Sequence, residues 1–133
     1  MPSHNETTTV SKKMLWAGYI ISAVPVLMLL FSGVMKLIKP DAVVKGFADL
    51  SWPESHALPL GIVEIVCTVL YVIPQTAVLG AILLTGYLGG AIATHVRLSE
   101  QFIGPAVFGV LIWLGLYLRD PRLRALIPWR GSL

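Results

Sequence analysis

Charge is the scarcest property of this sequence. Only 13% of its 133 residues are Asp, Glu, Lys or Arg, where an ordinary soluble domain has about a quarter. Too few polar side chains are present to coat a water-soluble globule of this size. Cysteine is nearly absent as well. The single Cys67 excludes an intrachain disulfide and leaves the redox compartment unread. Histidine occurs three times, and His4 and His56 fall in a tail and a loop, leaving only His95 in an apolar run. A metal site is therefore not expected. No flavin, haem or iron–sulfur motif is visible and no cysteine pair exists, so no resident cofactor is expected. No Ser/His/Asp set is placed to converge as a nucleophilic triad. An enzyme reading rests on the residue types of Glu64 and His95 alone and stays open.

Apolar residues are what the chain has in abundance: 56% of the total, with a mean hydropathy of +0.78. They concentrate in four runs, at 14–37, 57–73, 77–96 and 102–118. Each approaches the ~17–25 residues needed to cross a hydrocarbon layer of roughly 30 Å. Backbone groups in lipid must satisfy one another, and segments this long do so as helices. The reading is all-α, an integral membrane four-helix bundle over 14–118. It is flanked by a disordered cytoplasmic tail at 1–13 and a basic cytoplasmic tail at 119–133. The first run is too long for the apolar part of a signal peptide and lacks a small-x-small cleavage site. The net charge of +3 is read as basic flanks set by membrane insertion, with no role for nucleic acid.

Four spans place both ends of the chain on one side. Lys12, Lys13, Arg119, Arg122, Arg124 and Arg130 lie there, against Lys36, Lys39, Lys45 and Arg97 opposite. The positive-inside rule then puts both termini in the cytoplasm of a multi-pass cell-membrane protein. Trp16, Tyr19, Trp113, Tyr117 and Trp129 would form the inner aromatic belt. Between the first two spans, Pro40 and Asp41 open a helix in the usual way. Val43, Phe47 and Leu50 share one face of it, which predicts a short interfacial helix. Pro74-Gln75-Thr76 is short enough to force an antiparallel hairpin of the second and third helices. Gly86, Gly90 and Ala93 mark the expected packing face of the third helix.

Ionisable residues within apolar spans are costly and usually face a bundle interior or cavity. Glu64 lies seven residues into the second span, roughly 10 Å below its edge at ~1.5 Å per residue. Gly61, Glu64, Thr68 and Tyr71 share one stripe; Gly18, Ser22, Pro25, Ser32 and Lys36 share another on the first helix. The third helix ends in Thr94, His95 and Arg97. His95 and Arg97 differ by about 200° on an ideal helix, so either the helix unwinds near Thr94 or only one of them faces inward. The functional reading is an outer-half polar pocket whose ligand-binding residues are Glu64, His95, Lys36, Arg97, Ser32, Thr68, Tyr71 and Thr94. The alternatives are a structural pair of Glu64 with Lys36 or Arg97 that sets helix register, or cations that snorkel to headgroups.

The order of several short motifs adds to this reading. Phe31-Ser32-Gly33-Val34-Met35-Lys36-Leu37 closes the first helix. The pattern Pro40…Phe47…Leu50…Pro53 follows, then Glu64, then Gly90-Ala91…Thr94-His95. In these pieces the sequence resembles the DoxX-like family of small four-helix membrane proteins, over almost its whole length. The resemblance implies an integral four-helix bundle; the family takes its name from a subunit of a thiosulfate:quinone oxidoreductase, and other members are linked to membrane redox complexes or have no assigned role. A fold does not by itself fix a function. Two functions follow as expectations. One is a subunit or accessory of a membrane redox system that binds an apolar small molecule, a quinone or lipid, in the outer-half pocket. The other is a non-catalytic membrane assembly, scaffold or chaperone-like protein with a partner subunit or a second copy.

Overall fold

The computed structural model describes residues 11–131 and is all-helical over them. The first ten residues, most of the expected disordered tail, lie outside the described residues. Four long helices carry the fold: α1 (Lys12–Ile38), α3 (Ala57–Val72), α4 (Ala77–Arg97) and α5 (Ile103–Arg119), with short α2 (Asp41–Asp49) and α6 (Pro121–Arg124) beside them. α1 packs on α3 and α5, and α4 packs on the same two, so the order around the bundle is α1–α3–α4–α5. One end of the bundle holds the start of α1, the α3–α4 turn and α6. The other holds α2 and the α4–α5 connection.

The helix ends have local causes. The Ser11 side chain accepts from the Met14 amide at 3.1 Å, capping α1. α1 stops at Lys39, which is left-handed (φ 55°) and donates its amide to the Met35 carbonyl ahead of Pro40. α1 runs unbroken through Pro25, which is buried. α3 ends before Pro74, and a single 3-10 turn, Pro74–Thr76, leads directly into α4. The expected interfacial helix is α2. Its Phe47 is buried and Val43 and Leu50 are half-buried, while Lys45 and Asp49 are exposed.

Burial runs opposite to that of a soluble protein. Leu27, Phe31 and Val110 are 66%, 62% and 66% exposed, whereas Glu64 is 1% exposed. A surface so apolar over so many residues needs lipid against it. α1, α3 and α4 each have the length and composition to cross a membrane; α5 is equally apolar but shorter, at 17 residues. The protein is a membrane helical bundle.

Glycine sets the helix spacing where it matters for the polar residues. A Cβ on Gly61 would sit 2.9 Å from the Gly33 carbonyl and 2.9 Å from Lys36 Cβ. A Cβ on Gly18 would meet the Gly115 carbonyl at 2.9 Å. Such close approach is how helices associate in lipid, where packing replaces the hydrophobic drive. The expected packing face of α4 differs from this. Gly86 and Gly90 have nothing within 4 Å of an added Cβ, and both are exposed with Ala93. The inward face of α4 is instead built on Ala77, Gly80, Ala81, Leu84 and Leu88. A Cβ on Gly80 would overlap the Tyr71 backbone of α3, so small residues set the spacing in the first turns and leucines fill the space further on.

Candidate functional site: a buried carboxylate between three helices

The Gly33–Gly61 contact brings α1 against α3 one turn from Lys36 and one turn from Glu64. Lys36 Nζ lies 2.7 Å from Glu64 Oε2. Tyr87 of α4 donates to the same oxygen at 2.9 Å, and Ser32 donates to it at 3.4 Å. Lys36 also donates to Ser32 Oγ at 2.7 Å, and its ammonium stands 5.9 Å from the centre of the Tyr87 ring. Three helices thus converge on one carboxylate oxygen. Glu64 Oε1 receives no hydrogen bond among the described residues.

Each charge in this pair loses several kcal/mol of hydration on leaving water, and their attraction offsets that only with good geometry and further hydrogen bonds. Ser32 and Tyr87 supply the further bonds to the acid. The pair is also asymmetric. The Glu64 side chain is 2% exposed and that of Lys36 is 18% exposed, so the carboxylate is closed off and the cation is the less buried partner.

The remaining sequence-predicted residues lie elsewhere. Thr68 is fully buried, and its hydroxyl donates to the Glu64 backbone carbonyl of its own helix at 2.7 Å. Thr94 accepts from Trp52 Nε1 at 3.4 Å. His95 Nδ1 sits 2.6 Å from the Ala91 carbonyl one turn earlier, half-buried on the Leu84–Leu88 side. Arg97 is exposed and lines, with Ser51, Trp52, Pro53, Ala93 and Thr94, a surface cleft of about 360 Å³. α4 stays helical through Arg97, so the two residues simply face different ways and neither joins Glu64.

Tyr71 belongs to a second polar cluster, at the chain-terminus end. Its hydroxyl donates to the Ile112 carbonyl at 2.6 Å, which leaves Ser22 Oγ to donate to Tyr71 at 3.0 Å. Arg119 donates to the Tyr71 carbonyl at 3.0 Å. Its guanidinium stands 4.6 Å from the Tyr71 ring centre and 5.8 Å from that of Tyr19, as cation–π contact requires. No carboxylate lies within 4 Å of Arg119 among the described residues.

Sequence reasoning missed Tyr87 and Arg119. Tyr87 falls three residues after Leu84 and four before Ala91, on the stripe that ends at His95; a polar tip on an inward stripe was the available signal. Arg119 was counted as a tail charge, and only its place as the last residue of α5 hinted otherwise.

No curated protein and no solved structure matches the chain. The family model described as "DoxX-like family" matches residues 20–115. That stretch holds the α1–α3–α4 carboxylate centre and α5 as far as Gly115, and the chain belongs to the DoxX-like family.

Proposed function

We propose that the Glu64–Lys36–Tyr87 centre binds the polar head of an apolar small molecule, a quinone or a lipid, and that the chain serves as a subunit or accessory of a membrane redox system. The observation that carries this reading is the unequal use of the Glu64 carboxylate. Among the described residues, three donors meet Oε2 while Oε1 receives none. A ligand hydroxyl would donate to Oε1, and a ligand carbonyl would accept from Lys36, the less buried of the pair. In this reading the protein crosses the bilayer four times. α5, at about 25 Å by its rise per residue, is at the short end of the spanning range. Both termini are cytoplasmic. The chain-terminus end carries six cations and, among the described residues, one acid, Asp120; the opposite end carries Lys36, Lys39, Lys45 and Arg97 with five acids.

The test is a quinone titration of the purified protein followed by tryptophan fluorescence. Saturable quenching is expected in the wild type, weakened at least tenfold in Glu64→Gln and severalfold in Tyr87→Phe. Unchanged affinity in both folded variants would remove this reading. A second reading, an assembly or scaffold protein, is favoured by the open face of Gly86, Gly90 and Ala93 on α4. It predicts a stable partner subunit or second copy in mild detergent, lost on Gly90→Leu, with Glu64→Gln affecting folding alone.

A further inference from the structure

A long groove lies between α4 and α5, on the far side of the bundle from Lys36. Its volume is about 650 Å³, within the ~300–1,000 Å³ of small-molecule sites. Leu88, Ile92, Gly109, Trp113, Tyr117 and Leu123 line much of it. Its lining runs along α5 from Pro105 to Tyr117, about 18 Å at the helical rise, close to the hydrocarbon depth of one leaflet. Three lining side chains carry a polar atom, Thr85, Trp113 and Tyr117, and two of them satisfy each other: Trp113 Nε1 donates to Thr85 Oγ1 at 2.6 Å. Apart from the Tyr117 phenol, the wall offers an occupant apolar contact.

The groove itself has no charged lining residue, but its end at Tyr117 and Leu123 is flanked by two arginines. Leu123 and Ile127 line that end, and Leu123 lies between Arg122 and Arg124 in the chain. Arg124 is pinned there, donating to the Tyr117 and Leu118 carbonyls at 2.8 and 3.1 Å. The Arg122 side chain is 85% exposed and pairs with Asp120 at 3.3 Å. Lys12, Lys13, Arg119 and Arg130 belong to the same end of the bundle.

From these facts we propose that the α4–α5 groove holds one acyl chain of an anionic phospholipid, with its phosphate on Arg122 and Arg124. Length, apolar lining and a cationic mouth at interfacial depth match that one molecule. A basic mouth attracts anionic headgroups over zwitterionic ones. A second copy fits less well, because two-fold neighbours in one membrane bring the same end together and would oppose arginine to arginine. Two glycines keep the groove open. An added Cβ meets nothing within 4 Å at Gly89, and only Leu88 Cδ1 at 3.9 Å at Gly109, so a larger side chain at either fills the groove without a backbone clash.

The experiment is native mass spectrometry of the full chain from mild detergent. Phosphatidylglycerol and phosphatidylcholine are added at equal concentration, with inorganic phosphate in a separate arm. One phosphatidylglycerol per chain should be retained about fivefold or more over phosphatidylcholine. Each of Arg122→Gln and Arg124→Gln should lower that retention about fivefold. Gly109→Leu should abolish it while leaving helicity by circular dichroism and quinone quenching unchanged. Gly89→Leu is the second groove-filling variant should Gly109→Leu fail to fold. Several results would overturn the proposal. These are equal retention of the two lipids, retention unaffected by either glycine variant, displacement of the lipid by millimolar phosphate, or a dimer that Gly109→Leu splits. The groove does not include Glu64, so this proposal and the quinone reading fail separately.

Discussion

The two polar clusters of this bundle treat a buried charge in opposite ways. At the α2 end, Glu64 is neutralised by Lys36 and held by two further donors at one oxygen. At the chain-terminus end, Arg119 has no carboxylate within 4 Å among the described residues and spreads its charge over a carbonyl and two tyrosine rings. The first arrangement leaves a carboxylate oxygen and a less buried ammonium. The second leaves Arg119 Nε buried without a hydrogen-bond partner among the described residues, but it joins three helices, the Tyr71 hydroxyl tying α3 to α1 through Ser22 and to α5 through Ile112. Pairing can leave chemistry available to a ligand. Dispersal over neutral dipoles and ring faces makes a clamp.

That contrast breaks most sharply at Lys36. Lys36→Met leaves Glu64 buried without its cation and should lose about 3–5 kcal/mol, measured by reversible unfolding in mixed micelles. A loss under 1 kcal/mol would make the two clusters alike. Arg119→Lys keeps the charge but gives up the planar stack on Tyr71 and Tyr19. A loss of about 1–2 kcal/mol is expected in the same assay, with no change in quinone quenching. Tyr87→Phe removes one of three donors to Oε2, and about 0.5–1.5 kcal/mol should go with it. Unlike the arginine change, it should also weaken quinone binding. Thr68→Val should have the smallest effect, within about 0.5 kcal/mol. Its hydroxyl bonds a carbonyl of its own helix, and the swap keeps its shape.

Much of the fold is legible in the residues. The four apolar runs and the four long helices begin and end within two residues of one another, because apolar runs of this length have few other ways to satisfy their backbones. Pro40 and Pro74 mark ends by local chemistry. The stripes through Glu64 and through Ser32 and Lys36 are legible from helical spacing alone. Their meeting depends on Gly33 and Gly61 lying opposite each other, which spacing within one helix does not encode. The same limit explains α4. Its small residues suggested a packed face, yet the bundle turns Leu84 and Leu88 inward and leaves Gly86 and Gly90 open. Which stripe of a uniformly apolar helix faces its neighbours is decided by those neighbours. Thr94, His95 and Arg97 sit at the right end of the bundle, but beyond the turn that reaches Glu64, so depth was readable and contact was not.

The central claim is that Lys36 and Glu64 are coupled inside the bundle. A double-mutant cycle on unfolding free energy with Lys36→Met, Glu64→Leu and the double variant measures this coupling directly. The account predicts a coupling of about 2–3 kcal/mol, with the double variant recovering most of what Lys36→Met loses. Additive losses, with a coupling below about 0.5 kcal/mol, would contradict it.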